Sequence, residues 1–308
     1  MKNVLIIGGS YFVGRVFVEE LAGAGGYAIY SLNRGNAPLA MPGVHEIVCD
    51  RRDYEALAES VPSLMWDAVV DFCAYTPGDI EIMFSVLPET SVNHYIFIST
   101  ASVYQPVKEF PITEDMPKLS GPQEHLGLHA DYAYHKWLLE LELESRCRER
   151  HVHYTSFRPA FIYGKYNYAP RESYFFDLMG RDEPLIVPEP DLALFSFVSV
   201  WDVARMIIVS LGNEKVWGRA FNLAAEELIS YGRLIEVFEI VSEKKLLTRR
   251  IPLRQIDEER VPLPFPIDEH LIYSGKAVRE TLGFNYTPFL EGMRMTYEHY
   301  RRSHGPGH

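Results

Sequence analysis

The chain has 308 residues, enough for one large domain or a domain with a smaller second lobe, and at 47% hydrophobic it can fill a sizeable core. Its formal charge of −12 and pI near 5.4 disfavour nonspecific nucleic-acid binding, which needs a basic surface to neutralise phosphates. No apolar run approaches membrane-spanning length, so no membrane partner is expected. The three cysteines, Cys49, Cys73 and Cys147, make neither a metal-ligand pattern nor a disulfide framework; with a strand rather than a signal peptide at the start, the expected compartment is the cytoplasm.

Val4-Leu5-Ile6-Ile7 is a continuous apolar run, too short for a helix and suited to a strand buried on both faces. Gly8 and Gly9 interrupt it. Val13, Phe17 and Leu21 then recur at four-residue spacing, the mark of a helix with one apolar side. Strand, glycine turn and helix make a dinucleotide-phosphate site. Glycine lets the backbone approach a pyrophosphate, and the helix N-terminus adds free N–H groups and positive potential. The candidate residues are Gly8, Gly9, Ser10, Tyr11, Phe12, Val13 and Gly14. Tyr11 stands where a Gly-x-x-Gly-x-x-Gly pattern has its middle glycine, and a lone pattern of this kind also fits a turn that binds nothing.

Further strands are expected over 27–32, 44–49, 66–72 and 94–99, with helices over 54–60 and 79–87 between them. This alternation predicts an α/β fold, a Rossmann-type doubly wound parallel sheet with right-handed crossovers and its ligand beyond the carboxyl ends of the strands. Residues 105–130, rich in Pro, Glu and His and without period, read as a surface loop near the site. A long helix over 132–150 follows, with Tyr134, Trp137, Leu138 and Leu141 as its apolar stripe, and then a strand over 153–157. His151 and His153 alternate at that strand's start, but the eleven histidines are scattered and no metal site is expected. Past Arg158-Pro159 the alternation loosens. Helices are expected over 171–180, 202–211, 231–242 and 288–301, a strand over 220–223, and a loop at Pro262, Pro264 and Pro266. The expected division is a dinucleotide-binding domain over 1–164 and a smaller substrate lobe over 165–308, with about 195–225 returning to the sheet domain.

Tyr132 and Lys136 lie four apart, on one face at the start of a helix. An ammonium near a phenol lowers its pKa, so Tyr132 is expected to exchange a proton with a substrate hydroxyl near neutral pH. The preceding strand ends in Ser99-Thr100-Ala101-Ser102-Val103-Tyr104, whose hydroxyls can hold the substrate oxygen. Tyr-x-x-x-Lys also arises as a packing pair; its position after a nucleotide-type turn and this strand end favours catalysis.

With these motifs, and with Asp50-Arg51-Arg52-Asp53, the segment 158–164 (Arg-Pro-Ala-Phe-Ile-Tyr-Gly) and Val200-Trp201-Asp202-Val203-Ala204, the sequence resembles the extended short-chain dehydrogenase/reductase superfamily, of the NAD-dependent epimerase/dehydratase type. The resemblance runs nearly end to end. The first turn, with Leu32-Asn33-Arg34-Gly35, also resembles a branch that includes chloroplast stem-loop RNA-binding proteins. The resemblance implies that Thr100 orients the substrate hydroxyl, Tyr132 is the acid/base and Lys136 holds the nicotinamide ribose. It also puts Asp50 and Arg51 by the adenine and Phe72, Cys73, Ser99 and Pro159 along the cofactor, and it implies a homodimer through the helices over 79–87 and 132–150.

Three departures narrow the expectation. Asn33, followed by Arg34, replaces the acid that takes the adenine ribose, so the cofactor is NAD or NADP, with Arg34 able to pair with a phosphate. Ala101 and Ser102 stand where dehydratases carry an Asp-Glu pair, which removes that route to dehydration. Phe161 and Phe195 stand where sugar-nucleotide epimerases carry an Asn and an Arg for the substrate diphosphate. The expectation is an NAD(P)-dependent oxidoreductase or epimerase acting on a secondary hydroxyl of a sugar-like or other small polar molecule. The alternative is a non-catalytic nucleotide- or RNA-binding protein on the same fold.

Overall fold

In the computed structural model, which describes residues 1–304, β1 (Lys2–Ile7) passes through the glycine turn into α1 (Phe12–Ala24). Then come β2 (Tyr27–Asn33), β3 (Val44–Val48), α2 (Tyr54–Ser60), β4 (Ala68–Asp71), α3 (Asp79–Val86), β5 (His94–Ile98), α4 (Tyr132–Arg150) and β6 (His153–Pro159). The second half holds β7 (Phe161–Tyr163), α5 (Glu172–Gly180), β8 (Leu185–Glu189), β9 (Phe195–Ser199), α6 (Val200–Ser210), β10 (Arg219–Leu223) and β11 (Leu228–Ile229). It closes with α7 (Tyr231–Ser242), β12 (Thr248–Pro252), α8 (Leu253–Glu259), α9 (Lys276–Leu282) and α10 (Phe289–His304).

Among the described residues the main sheet has seven strands, in the order β10-β6-β5-β4-β1-β2-β3, and all its pairings are parallel. The order reverses between β1 and β4, and at such a switch point a doubly wound sheet opens its ligand crevice. Alternate residues of β1 serve opposite faces. Val4 and Ile6 pack with Phe17 and Leu21 of α1 and Met206 of α6, while Leu5 and Ile7 pack with Trp66, Met83, Tyr95 and Leu143.

A second apolar body is built from Phe175, Phe195, Phe197, Tyr231, Phe238, Phe265 and Phe289. Short strands β11-β9-β7 and the pair β12-β8 frame it. The sequence reading missed β7, β8, β9, β11, β12, α8 and α9. β9 is buried at every position and so shows no alternation, and β8 finds its partner some sixty residues away. Besides α6 and β10, α9 returns to the main sheet, where Val278 joins the core of Val4 and Phe221.

The stripe expected on α4 is not its buried face. Ala133, Lys136, Leu139, Glu140, Leu143 and Cys147 are buried, Leu141 is exposed, and Trp137 packs on the cluster of Val103, Tyr104 and Ile112 instead. Two polar side chains displace the apolar pattern because each finds a partner inside. The 105–130 segment is pinned to the fold by bridges from Tyr104 to Lys118 and from Ile112 to Tyr273, with a short helical turn over Glu124–His129.

Candidate active site

Gly8 has φ +87°, and a Cβ there would stand 3.0 Å from both Cβ and Sγ of Cys73, so the end of β4 presses on the turn. A Cβ on Gly14 would run into the Gly8 carbonyl oxygen and come within 3.0 Å of Gly9 Cα. Helix α1 thus sits directly against the turn. No side chain caps it at Tyr11, which leaves its first N–H groups for a ligand.

A cavity of about 670 Å³ opens over this turn. Gly8, Ser10, Tyr11, Phe12, Val13 and Gly14 line it, together with Asn33 and Arg34 beyond β2, Asp50 and Arg51 beyond β3, and Phe72 and Cys73 beyond β4. Of the other expected cofactor residues, Gly9 packs toward Ser31, Pro159 pairs with Leu223 inside the sheet, and the Ser99 hydroxyl donates to Glu140. Thr100, Tyr132 and Lys136 are not part of the lining, although Lys136 reaches its wall. The sequence reading missed Asn36, Arg52, Tyr75, Ile98 and Tyr168, which do line it. Asn36 and Tyr75 follow strand ends, the positions a parallel sheet directs at its ligand. Tyr168 comes from the second lobe and carried no sequence signal.

Several of these side chains are already committed. The Arg51 guanidinium is buried and donates through Nη1 to Asp71 Oδ1 and Oδ2 at 2.8 and 2.9 Å, while Tyr95 donates to the same carboxylate at 2.7 Å. Arg51 thus lines the cavity with its charge already paired. Asn33 accepts from Gly35 N at 2.8 Å and donates to Glu46 at 3.2 Å, which shapes the loop after β2. Arg34 is exposed and has no ion-pair partner among the described residues, so its guanidinium is free to meet a phosphate.

Lys136 is 2% exposed. Its Nζ donates to the Ile98 carbonyl at 2.9 Å and lies 4.7 Å from the ring centres of Tyr75 and Phe97. Burial lowers its pKa to about 8. Tyr132 keeps 43% of its surface exposed, yet burial around the phenol pushes its pKa up, with the Thr100 hydroxyl drawing it the other way. The expected lowering by Lys136 does not occur, because the ammonium is turned to Ile98; the cation that acts on the phenol is Arg171. The Thr100 hydroxyl accepts from Ser102 N at 3.2 Å.

Behind these residues Glu140 and Arg158 form a buried pair, Nη2 to Oε2 at 2.6 Å, and Arg158 also donates to the Tyr104 hydroxyl at 2.8 Å. Tyr104 donates in turn to Asn222 at 2.6 Å. This chain ties the ends of β5, β6 and β10 together. Phe161 and Phe195 join Phe197 and Phe265 in the second lobe's aromatic cluster, with ring centres 5.1–6.3 Å apart.

A strap over 164–171 joins the two bodies. Lys165 Nζ and the Tyr166 hydroxyl donate to Glu19 of α1 at 2.7 and 2.8 Å, and Arg15 lies 4.8 Å from the Tyr166 ring centre. Tyr168 meets Phe12 edge-on at 6.0 Å. No helix among the described residues is long and apolar enough to cross a membrane, and no group of three or more His, Cys, Asp or Glu among them is placed to hold a metal.

Compared with known proteins, residues 4–224 match the model of the NAD dependent epimerase/dehydratase family. A curated relative is the chloroplast stem-loop binding protein of 41 kDa b from Arabidopsis thaliana, 28% identical over 247 residues, or 76% of this chain. The match spans only 61% of that protein's length. Among solved structures, a UDP-glucose 4-epimerase from Thermotoga maritima, with UDP-glucose, superposes at TM-score 0.78 with 21% identity over 98% of this chain and 99% of its own. A dTDP-glucose 4,6-dehydratase from Bacillus anthracis, with NAD, superposes at 0.78 with 15% identity over 98% and 97%. At these identities the likeness is one of fold.

Proposed function

The chain belongs to the NAD dependent epimerase/dehydratase family, and from that premise we propose that it is an NAD(P)-dependent oxidoreductase or epimerase. Its substrate is a sugar-like or other small polar molecule with a secondary hydroxyl. The observation that carries this reading is Tyr132 and a buried Lys136 one turn apart on α4, the phenol acted on by the Thr100 hydroxyl and the ammonium bonded to Ile98, a residue of the cavity wall.

The cavity residues fit a dinucleotide. Gly8 and Gly14 leave the backbone bare where a Cβ would not fit, and α1 presents uncapped N–H groups to a pyrophosphate. Arg34 would meet a 2′-phosphate, and Lys136 would hold the nicotinamide ribose. The bound cofactor supplies hydride donation and acceptance. Thr100 orients the substrate oxygen. Tyr132, protonated at neutral pH because its pKa is raised, donates its proton to a substrate carbonyl oxygen and takes it back in the reverse direction. Ala101 and Ser102 offer no acid–base pair for eliminating water. In this proposal 1–164 with about 195–225 holds the cofactor, the rest holds the substrate, the protein works in the cytoplasm, and α3 and α4 pair two copies.

The relative's stem-loop binding favours a second reading, a nucleic-acid-binding scaffold; the −12 charge counts against it. Tyr132→Phe separates the two. It keeps the ring and removes the proton carrier, so turnover should fall by about 10²–10⁴ with cofactor affinity nearly kept. Wild-type turnover in a folded Tyr132→Phe protein would sink the enzymatic reading.

A further inference from the structure

Arg171 caps α5 at the end of the strap, three residues after Tyr168. Its guanidinium lies 5.3 Å from the Phe161 ring centre, and Nη1 donates to the Ile162 carbonyl at 3.3 Å. Among the described residues no carboxylate lies within ion-pairing distance of it, and its other N–H groups have no protein acceptor. The adjacent acid is occupied elsewhere: Glu172 accepts from Gly164 N at 2.9 Å and from Asn167 Nδ2 at 3.0 and 3.1 Å. The groups whose charge it feels are Glu172, Tyr132 and Tyr168.

A half-buried guanidinium is normally paired, because leaving water costs it more than one backbone carbonyl returns. Here burial draws its pKa down further than the nearby Glu172 charge restores it, and among the described residues no carboxylate forms an ion pair with it. The wall behind it, Phe161 with Phe195, Phe197 and Phe265, offers no polar competitor. A planar fork of N–H donors beside a proton-transferring phenol fits one kind of partner, a planar or tetrahedral oxyanion taken by two parallel bonds.

We propose that Arg171 binds an oxyanion of the substrate, a carboxylate or phosphate carried within a few bonds of the hydroxyl that Tyr132 serves. The substrate class is then a hydroxylated acid or a phosphate ester. This rests on the assignment of Tyr132 as the proton carrier.

The test is ligand binding to the NAD(P)-saturated full chain, read by saturation-transfer NMR, with two matched pairs: D-glucuronate against D-glucuronamide, and D-glucose 1-phosphate against D-glucose. The charged member of at least one pair should bind about tenfold or more tighter than its neutral partner. Arg171→Gln should abolish that preference with cofactor affinity unchanged, and Arg171→Lys should restore part of it. Whichever pair responds identifies the anion as carboxylate or phosphate. No charged-over-neutral preference in either pair, or a preference that survives Arg171→Gln, overturns the proposal. The readout needs no turnover, so it fails separately from the Tyr132 assignment: an intact preference beside a fully active Tyr132→Phe would keep the anion site and discard the mechanism.

Discussion

Gly14→Ala is the sharpest test of the cofactor site, because the structure supplies its own control. The new methyl would meet Gly8 O, Gly9 Cα at 3.0 Å and Gly8 C at 3.1 Å, all backbone atoms that no rotamer change can move. Relief requires α1 to retreat from the turn by about 1 Å, and overpacking of this kind costs roughly 1–3 kcal/mol. In a chain of this size that lowers Tm by about 2–4 °C per kcal/mol. The same retreat carries the free N–H groups away from the pyrophosphate, where binding tolerates only about 0.5 Å of misplacement. Cofactor affinity should therefore fall by more than the stability loss alone implies, and Gly14→Val should abolish binding. Gly23, in the same helix, has nothing within 4 Å of its ideal Cβ. Gly23→Ala should stabilise by about 0.5–1 kcal/mol through helix propensity and leave binding untouched. Calorimetric titration with NAD and NADP alongside thermal melts reads both. A folded Gly14→Ala protein with wild-type affinity would refute the assignment of the turn.

Arg34→Ala should weaken NADP(H) by about 1.5–3 kcal/mol and NAD(H) less, and equal loss for both would remove Arg34 as the phosphate reader. Lys136, with its pKa lowered to about 8 by burial, should lose its charge as pH rises through that value. Dinucleotide affinity of the free protein should then decline above about pH 8, and Lys136→Met should flatten that decline. The sign for folding is opposite: between about pH 8 and the ordinary lysine value the unfolded chain holds more protons, so this group's contribution to stability rises with pH. Arg158→Met strands the buried Glu140 carboxylate and should cost about 3–5 kcal/mol in urea unfolding, most of it recovered by adding Glu140→Met.

The strands of the main sheet and the glycine turn were legible because each is a local pattern. Boundaries shifted by a residue or two: β4 stops at Asp71 and β6 runs on to Pro159. What local pattern could not supply was who partners whom. Arg51 is expected beside an adenine, and only the fold shows its charge paired with Asp71, twenty positions on. Lys136 and Glu140 lie off the apolar stripe expected on α4, yet both are buried, one against Ile98 and the other against Arg158. Tyr132 and Lys136 are singled out by their spacing and by their place after the glycine turn and the fifth strand's end, but spacing mispredicts the direction of the phenol's pKa, which burial decides. Arg171 carried no signal, since its lack of an ion-pair partner among the described residues, with Glu172 bonded to Gly164 and Asn167 instead, becomes visible only in three dimensions.

Glu19 lies on the helix whose first turn lines the cavity, and it is held from outside by Lys165 and Tyr166. The same strap delivers Tyr168 to the cavity and ends in Arg171. If the proposed sites hold, one rigid rod would be gripped at its nucleotide end by one ligand and on its flank by the element that receives the other. Thermodynamic linkage makes such an arrangement reciprocal: the factor by which a substrate, settling the strap, tightens the dinucleotide is the factor by which the dinucleotide tightens the substrate.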